Sequence, residues 1–161
     1  MNYTNSSVRR QDRLMDESAA KELLKKGEYG VLSINCDEDG AYGLPINYVW
    51  DSDKYIYLHC APVGRKLTCI ENKPNVSFCI VGKTNIISDK FTTEYESIIL
   101  SCSAKMKLTK EERMKALLLF LDKYSPGDKD AGIIYAEKAF QLVEIIRLEI
   151  NNWSGKKKLQ L

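Results

Sequence analysis

Tyr29-Gly30-Val31-Leu32-Ser33-Ile34-Asn35, the turn Asp37-Glu38-Asp39-Gly40, and Tyr42-Gly43-Leu44-Pro45-Ile46-Asn47-Tyr48-Val49-Trp50 decide the fold class of this chain. Apolar and polar residues alternate on both sides of a turn built from acidic residues and glycine, which is the pattern of a β-hairpin. Leu44, Ile46, Tyr48 and Trp50 share one of its faces. A second turn, Asp51-Ser52-Asp53-Lys54, leads into Tyr55 to Cys60. Three strands therefore follow one another through short antiparallel connections, a meander.

Upstream, Asp16 to Lys26 reads as a short helix with Asp16 as N-cap, Ala20, Leu23 and Leu24 on one face, and Gly27 as its stop. Downstream, Ala61-Pro62-Val63-Gly64 breaks the strand and Arg65 to Asn72 reads as a helix closed by Lys73-Pro74. Another strand spans Val76 to Val81. In the next, Ile98, Leu100, Cys102, Ala104 and Met106 face inward against Ser97, Ser101, Ser103, Lys105 and Lys107 outward. Thr109-Lys110-Glu111-Glu112 is a capping box, and Met114, Leu117, Leu118, Leu121 and Tyr124 repeat behind it at helical spacing, predicting a helix over 110–124. A helical piece near 130–138 follows, then a last strand in which Phe140, Leu142, Ile146, Leu148 and Ile150 alternate. Strands joined mostly without crossover helices predict a mainly β protein with flanking helices, its six-stranded antiparallel sheet closed into a barrel. Residues 1–161 read as a single domain, with 1–13 as an extended, solvated arm or a clamp on a partner subunit, and 156–161 as a solvated tail.

The chain has 161 residues and a net charge of +2, with 44% hydrophobic and 29% charged residues. Those proportions exclude a disordered chain, and so small a basic excess argues against nucleic acid as a partner. The longest apolar runs fall short of a membrane span, and the polar start Met1-Asn2-Tyr3-Thr4-Asn5 is unlike a signal peptide, so a soluble, cytoplasmic protein without a membrane partner is expected. Cys36, Cys60, Cys69, Cys79 and Cys102 are odd in number and scattered, which indicates neither a zinc cluster nor a disulfide framework. They read as single apolar fillers in a reducing compartment, and with one histidine no metal site is expected.

No Gly-x-Gly-x-x-Gly follows a strand, and no P-loop motif is present. The candidate site is His59-Cys60-Ala61-Pro62-Val63-Gly64-Arg65-Lys66-Leu67, where a glycine precedes two adjacent cations at a helix start. Free backbone N–H groups, the helix dipole, Arg65, Lys66 and the His59 ring would converge there on a phosphate. The same residues also read as solvated cations and a satisfied strand histidine. A second candidate is Gly43-Leu44-Pro45-Ile46-Asn47-Tyr48: Pro45 cannot donate to a ladder, so it marks a sheet edge, a bulge or a surface against which a planar ligand lies.

Taken together, Glu28-Tyr29-Gly30-Val31-Leu32-Ser33, Leu44-Pro45-Ile46-Asn47-Tyr48-Val49, Tyr57-Leu58-His59-Cys60-Ala61, Gly64-Arg65-Lys66-Leu67 and Asn75-Val76-Ser77-Phe78 resemble, in order and spacing, the pyridoxamine 5'-phosphate oxidase-like FMN-binding split barrels, most of all their nitroimidazole-resistance (Nim) type. The resemblance runs from Arg9 to about Gly155 and implies a six-stranded split barrel, a homodimer, and FMN at the subunit interface. By that likeness His59, Cys60, Ala61, Gly64, Arg65 and Lys66 surround the phosphate, and Leu44, Pro45, Ile46 and Asn47 lie along the flavin ring. Ser97 and Trp153 would come from the second subunit, although a tryptophan just past a final strand equally suits a core plug. Arg65 stands where many Nim-type relatives carry histidine, and Cys60 where they carry serine or glycine. Arg65 keeps its proton, so it is assigned to binding, and His59 is the one catalytic candidate. Lys156-Lys157-Lys158 matches the substrate-phosphate cluster of the oxidase poorly.

The function implied is an FMN-dependent oxidoreductase passing electrons from a reductant such as NAD(P)H to a small acceptor, nitroaromatics among them. The alternative is a flavin- or small-ligand-binding module without turnover, and deazaflavin or heme in the same kind of barrel stays open as cofactor.

Overall fold

The computed structural model describes residues 1–6, 8–37 and 40–158. Glu38 and Asp39 of the first expected turn lie outside them, as do the last three residues of the expected tail. Seven strands are described: β1 (Asn2–Tyr3), β2 (Tyr29–Asn35), β3 (Ala41–Trp50), β4 (Tyr55–Cys60), β5 (Asn75–Ile87), β6 (Thr92–Lys105) and β7 (Glu144–Lys158). Four α-helices accompany them: α1 (Glu17–Lys26), α2 (Arg65–Asn72), α3 (Lys110–Tyr124) and α4 (Lys129–Ala139). The sheet runs β7-β4-β3-β2-β5-β6, and β6 pairs with β7, so six antiparallel strands close into a ring. The two-residue β1 adds to β7 in parallel. Among the described residues no helix is long and apolar enough to cross a membrane.

Alternation along each strand turns one side chain in two into the barrel. Leu32, Tyr48, Ile56, Leu58, Phe78, Ile80, Ile98, Leu100, Ile146 and Leu148 are sealed from solvent there. Each such aliphatic or aromatic side chain contributes roughly 1.5–3 kcal/mol relative to exposure. The Tyr48 hydroxyl donates to Leu24 O at 2.7 Å, which satisfies the one polar atom it carries into the core.

The α1 helix begins as expected, with the Asp16 carboxylate accepting from Ala19 N at 2.8 Å. It ends at Gly27, whose φ of −57° is an ordinary one. Glycine is required there by space: a Cβ would meet Ile80 Cγ2 and the Tyr48 hydroxyl at 2.7 Å.

Four expectations are corrected. First, β5 and β6 run beyond the barrel as a two-stranded ribbon reaching Ile87 and Thr92, past the expected end at Val81. Second, the last strand starts at Glu144, with Phe140–Leu142 forming a 3-10 turn, and it continues through Lys156, Lys157 and Lys158. These lysines pair with Ser97, Glu96 and Tyr95 of β6; backbone pairing holds them in the sheet although lysine is a poor strand former.

Third, α3 occupies the residues its capping box predicts but buries Ala116 and Phe120, each one position before Leu117 and Leu121 of the expected Met114-Leu117-Leu118-Leu121-Tyr124 stripe. Leu117-Leu118-Leu119-Phe120-Leu121 is apolar all round, so periodicity did not select a face. Packing selects it, because small Ala116 lets the helix lie close on Val49, Tyr57 and Ile145. Fourth, the first residues are docked on the chain's own barrel: Tyr3 packs edge-on to Trp153 with ring centroids 4.8 Å apart, Val8 and Met15 are buried, and Arg10 pairs with Asp12.

Candidate functional site

The ring of strands is thin where β3 meets β4, which share the pairs Tyr48↔Leu58, Val49↔Tyr57 and Trp50↔Ile56. Beyond them β3 stays with β2 over Ala41 to Asn47, while His59 and Cys60 go with Ile145 and Glu144 of β7. The two strands therefore part, and α2 leaves from the β4 side of the gap. Pro45 sits on the β3 lip where no β4 residue faces it, the edge position a proline in a strand requires. Pro45 and Asn47 are exposed on this lip, whereas Leu44 and Ile46 turn inward and pack against the core. Of these four, Leu44 and Ile46 offer backbone alone to anything lying outside.

On the other lip, His59 is exposed outward with its ring edge-on to Phe120 of α3, centroids 4.7 Å apart. That partial burial holds its pKa below the usual histidine value, so near neutral pH the ring is mainly uncharged and can both donate and accept. Cys60 points inward and burial raises its thiol pKa against the opposing pull of Lys66, which keeps it protonated. Ala61, Gly64 and Arg65 are exposed and Lys66 is half-buried. Gly64 has φ of 144°, a conformation L side chains rarely adopt, and a Cβ placed on it would meet nothing within 4 Å. The turn is consequently open on its outer side. Among the described residues no side chain caps the start of α2. Its first-turn amides, the positive end of its dipole and the two cations make a place for an anionic group such as a phosphate. The Arg65 guanidinium lies over the Tyr42 ring at 4.5 Å, which orients it at this turn.

Ser97 and Trp153 lie elsewhere. Along the outer surface Pro45 pairs with Val31, Val31 with Cys79, Cys79 with Ile99 and Ile99 with Ser154. The β3 lip is thus three strand spacings from β6, roughly 14 Å of sheet. Ser97 and Trp153 border a cavity of about 300 Å³ together with Ile99, Ser101, Ser154 and Lys156. Trp153 is 2% exposed and its indole N–H is buried without a partner, so it forms that wall from inside the core. One chain does not bring these two residues to the gap between β3 and β4. Among the described residues no three His, Cys, Asp or Glu side chains gather as a metal site.

Sequence reasoning missed the residues that brace the gap. The Tyr124 hydroxyl, at the C-terminal end of α3, is 2.6 Å from Glu28 O and 2.8 Å from Tyr48 O, and accepts from Tyr48 N at 3.1 Å. Asn47 Nδ2 donates to the same Glu28 O at 3.1 Å. Lys123 Nζ donates to Gly27 O at 2.7 Å and to Tyr48 O at 3.0 Å, and burial lowers its pKa to about 8. The aromatic end of an apolar helix was the signal for Tyr124; for Lys123 there was none.

Sequence reasoning also missed a disulfide. Cys36, just past β2, is bonded to Cys69 in the middle of α2, 33 residues away. The expectation of five single thiols is corrected to three: Cys60, Cys79 and Cys102. The pair was invisible because α2 folds back across the hairpin, a placement that cysteine spacing does not encode.

A family model described as pyridoxamine 5'-phosphate oxidase matches residues 16–157. No curated protein matches the chain. Among solved structures, a candidate 5-nitroimidazole antibiotic resistance protein from Bacteroides thetaiotaomicron is similar at 17% identity and TM-score 0.73, over 90% of this chain and 86% of that one. An FAD-binding protein from Mesorhizobium loti is similar at 19% identity and TM-score 0.65, over 91% and 98%. An FAD and heme binding protein from Mycobacterium smegmatis is similar at 15% identity and TM-score 0.72, over 90% and 72%. At these identities the likeness is one of fold.

Proposed function

The chain belongs to the pyridoxamine 5'-phosphate oxidase family, and on that premise we propose that it binds FMN and passes electrons from a reductant such as NAD(P)H through the flavin to a small acceptor, nitroaromatics among them. The observation that carries this reading is the gap between β3 and β4, where the uncapped start of α2, Arg65, Lys66 and an outward His59 face an exposed strand lip. Two neighbours of the same fold are described as FAD-binding, which supports a flavin as the guest.

The residues present fit FMN by the chemistry of the donor set. Arg65 and Lys66 meet the phosphate dianion with charge-assisted hydrogen bonds, and the open Gly64 turn leaves it room. His59 adds a donor at one lip, and the backbone of Leu44 to Asn47 lies along the ring at the other. Cys60 contributes by packing, since its thiol faces inward. A second copy of the chain would supply Ser97 and the wall that Trp153 supports. Its docking surface is the uncovered outer face, where Tyr29, Val81 and Ile99 are exposed. When bound, the flavin accepts and donates the electrons; the protein orients it, excludes water and sets its surroundings. Arg65 is assigned to binding alone, while His59 is the group able to take up or release a proton.

The test is the visible spectrum of the purified protein, the mass of whatever heat releases, and anaerobic mixing with NADH and NADPH. Flavin bands, a released mass equal to FMN and rapid bleaching are the expected results. Bound flavin that neither nucleotide bleaches would favour a binding module without turnover. A colourless protein that also fails to take up added FMN would overturn the reading, and a released mass matching deazaflavin or heme would replace the cofactor.

A further inference from the structure

We propose that Cys36 and Cys69 form a redox-sensitive latch on the phosphate turn: closed as a disulfide it holds α2 and Gly64-Arg65-Lys66 in place, and opened to two thiols it releases them. The consequence for cofactor binding rests on the flavin reading above; the latch itself does not. An eight-residue helix is too short to persist through its own hydrogen bonds, so α2 depends on what fastens it. It buries only Cys69 and Ile70. Among the described residues, several ties bind it to the β2–β3 hairpin, Asn72 hydrogen-bonding Asp37 among them. Arg65 stacks on Tyr42 at its start, Cys69 is bonded to Cys36 at its middle, and just past its end Lys73 Nζ meets Asp37 Oδ1 at 2.6 Å. The stack and the ion pair are solvent-exposed and weak, which leaves the covalent tie as the strong one. At the turn itself a Cβ on Gly64 would meet nothing within 4 Å, while beyond the hairpin α2 is held by Leu67 and Ile70 on the core and by an exposed pair of Glu71 Oε1 with Lys107 Nζ at 2.6 Å.

Both cysteines are 7% exposed, at the margin of the core, so a modest local opening admits a reductant. The chemistry is thiol–disulfide exchange with a dithiol. Its thiolate attacks one sulfur and breaks the Cys36–Cys69 bond, and its second thiol then resolves the mixed disulfide. The protein gains two electrons and two protons as two thiols, and the reductant leaves as its own disulfide. Burial holds the thiols of Cys60, Cys79 and Cys102 protonated, so they are slow competitors in this exchange.

The test uses the full chain, oxidised and after treatment with a dithiol, with the state verified by alkylation and mass: three thiols react in the first form and five in the second. Amide exchange without flavin should be faster in the reduced form over residues 61–72 and unchanged in the barrel strands. FMN titration should show about tenfold weaker binding to the reduced form, as when the competent turn is populated a tenth of the time. Cys36→Ala with Cys69→Ala should behave as the reduced form and ignore the dithiol. Equal exchange over 61–72 in both redox states overturns the latch, and so does a dithiol effect that survives in the double variant. Faster exchange with equal FMN affinity overturns the coupling to binding. If neither form binds FMN, the flavin reading and that coupling fall together, while the exchange comparison still decides the latch.

Discussion

The outer surface of the barrel has two unlike halves. Over β4 and β7 it is finished: α3 lays Ala116 and Phe120 on Val49, Tyr57 and Ile145. Arg147 Nη1 meets Glu112 Oε1 at 2.9 Å, and the Tyr57 hydroxyl donates to the same oxygen at 3.2 Å. Over β2, β5 and β6 it is bare, with Val81 55% and Ile99 52% exposed. Both halves come from strands of the same alternating pattern, so what differs is whether the chain supplies its own cover. The gap that carries Arg65 and His59 lies on their boundary, with Phe120 of the covered half packed against His59.

The comparison can be broken most forcefully on the covered half. Phe120→Ala removes a buried ring and should cost about 3–5 kcal/mol of stability, measured by denaturant unfolding. A loss below about 1 kcal/mol would mean that α3 does not seal this face. Next is the boundary: Arg65→Ala with Lys66→Ala should weaken FMN about a hundredfold or more, two charge-assisted contacts being lost, while the unfolding midpoint barely moves. FMN retention equal to that of the unaltered protein would show that the phosphate lies elsewhere.

A smaller effect reads the brace at the gap. Burial lowers the Lys123 pKa from the ordinary value near 10.5 to about 8, so between those values the unfolded chain binds more protons than the folded one. Stability should therefore rise with pH across about 8 to 10.5, while below pH 8 the whole cost of the buried charge is present. Solvent reaches this half-buried group and two carbonyls accept from it, so the rise should be about 1 kcal/mol. Lys123→Met should flatten it, and a slope that persists would assign it to another group. The smallest effect on stability belongs to the bare half. Ile99→Asp should change unfolding by about 0.5 kcal/mol or less. On the proposed pairing of two copies through this face it should nevertheless convert dimer to monomer in sedimentation; an unchanged dimer would place the contact on another surface, and an unaltered protein that sediments as a monomer would remove the pairing.

Local order was readable from local residues. The expected strands Tyr29 to Asn35 and Tyr55 to Cys60, and the helices Arg65 to Asn72 and 110–124, coincide with the observed ones because alternation, a capping Thr109 and a breaking Pro62 act within a few residues. Part of the candidate site was legible in the same local way: Pro45 allowed an edge, a bulge or a ligand surface, of which the fold shows an edge, and Gly64 before two cations marked a candidate helix start. What was missed depends on distant chain. Cys36 and Cys69 met because α2 folds back over the hairpin. Lys156 to Lys158 became strand because β6 offered backbone partners. Tyr124 and Lys123 found carbonyls on β2 and β3 only after α3 had docked.

The sequence by itself determined most of the strands and helices and which strand faces are apolar, and it offered the candidates for a phosphate site. Caps, turns and side-chain alternation are short-range, and a single stretch of chain contains them in full. Only the tertiary structure decided the closure of β6 on β7, the face α3 buries, the disulfide, and the parting of β3 from β4 that opens the site. Each of these is a choice among partners that are nearly equivalent in composition, and it is settled by which of them can be packed and hydrogen-bonded at the same time.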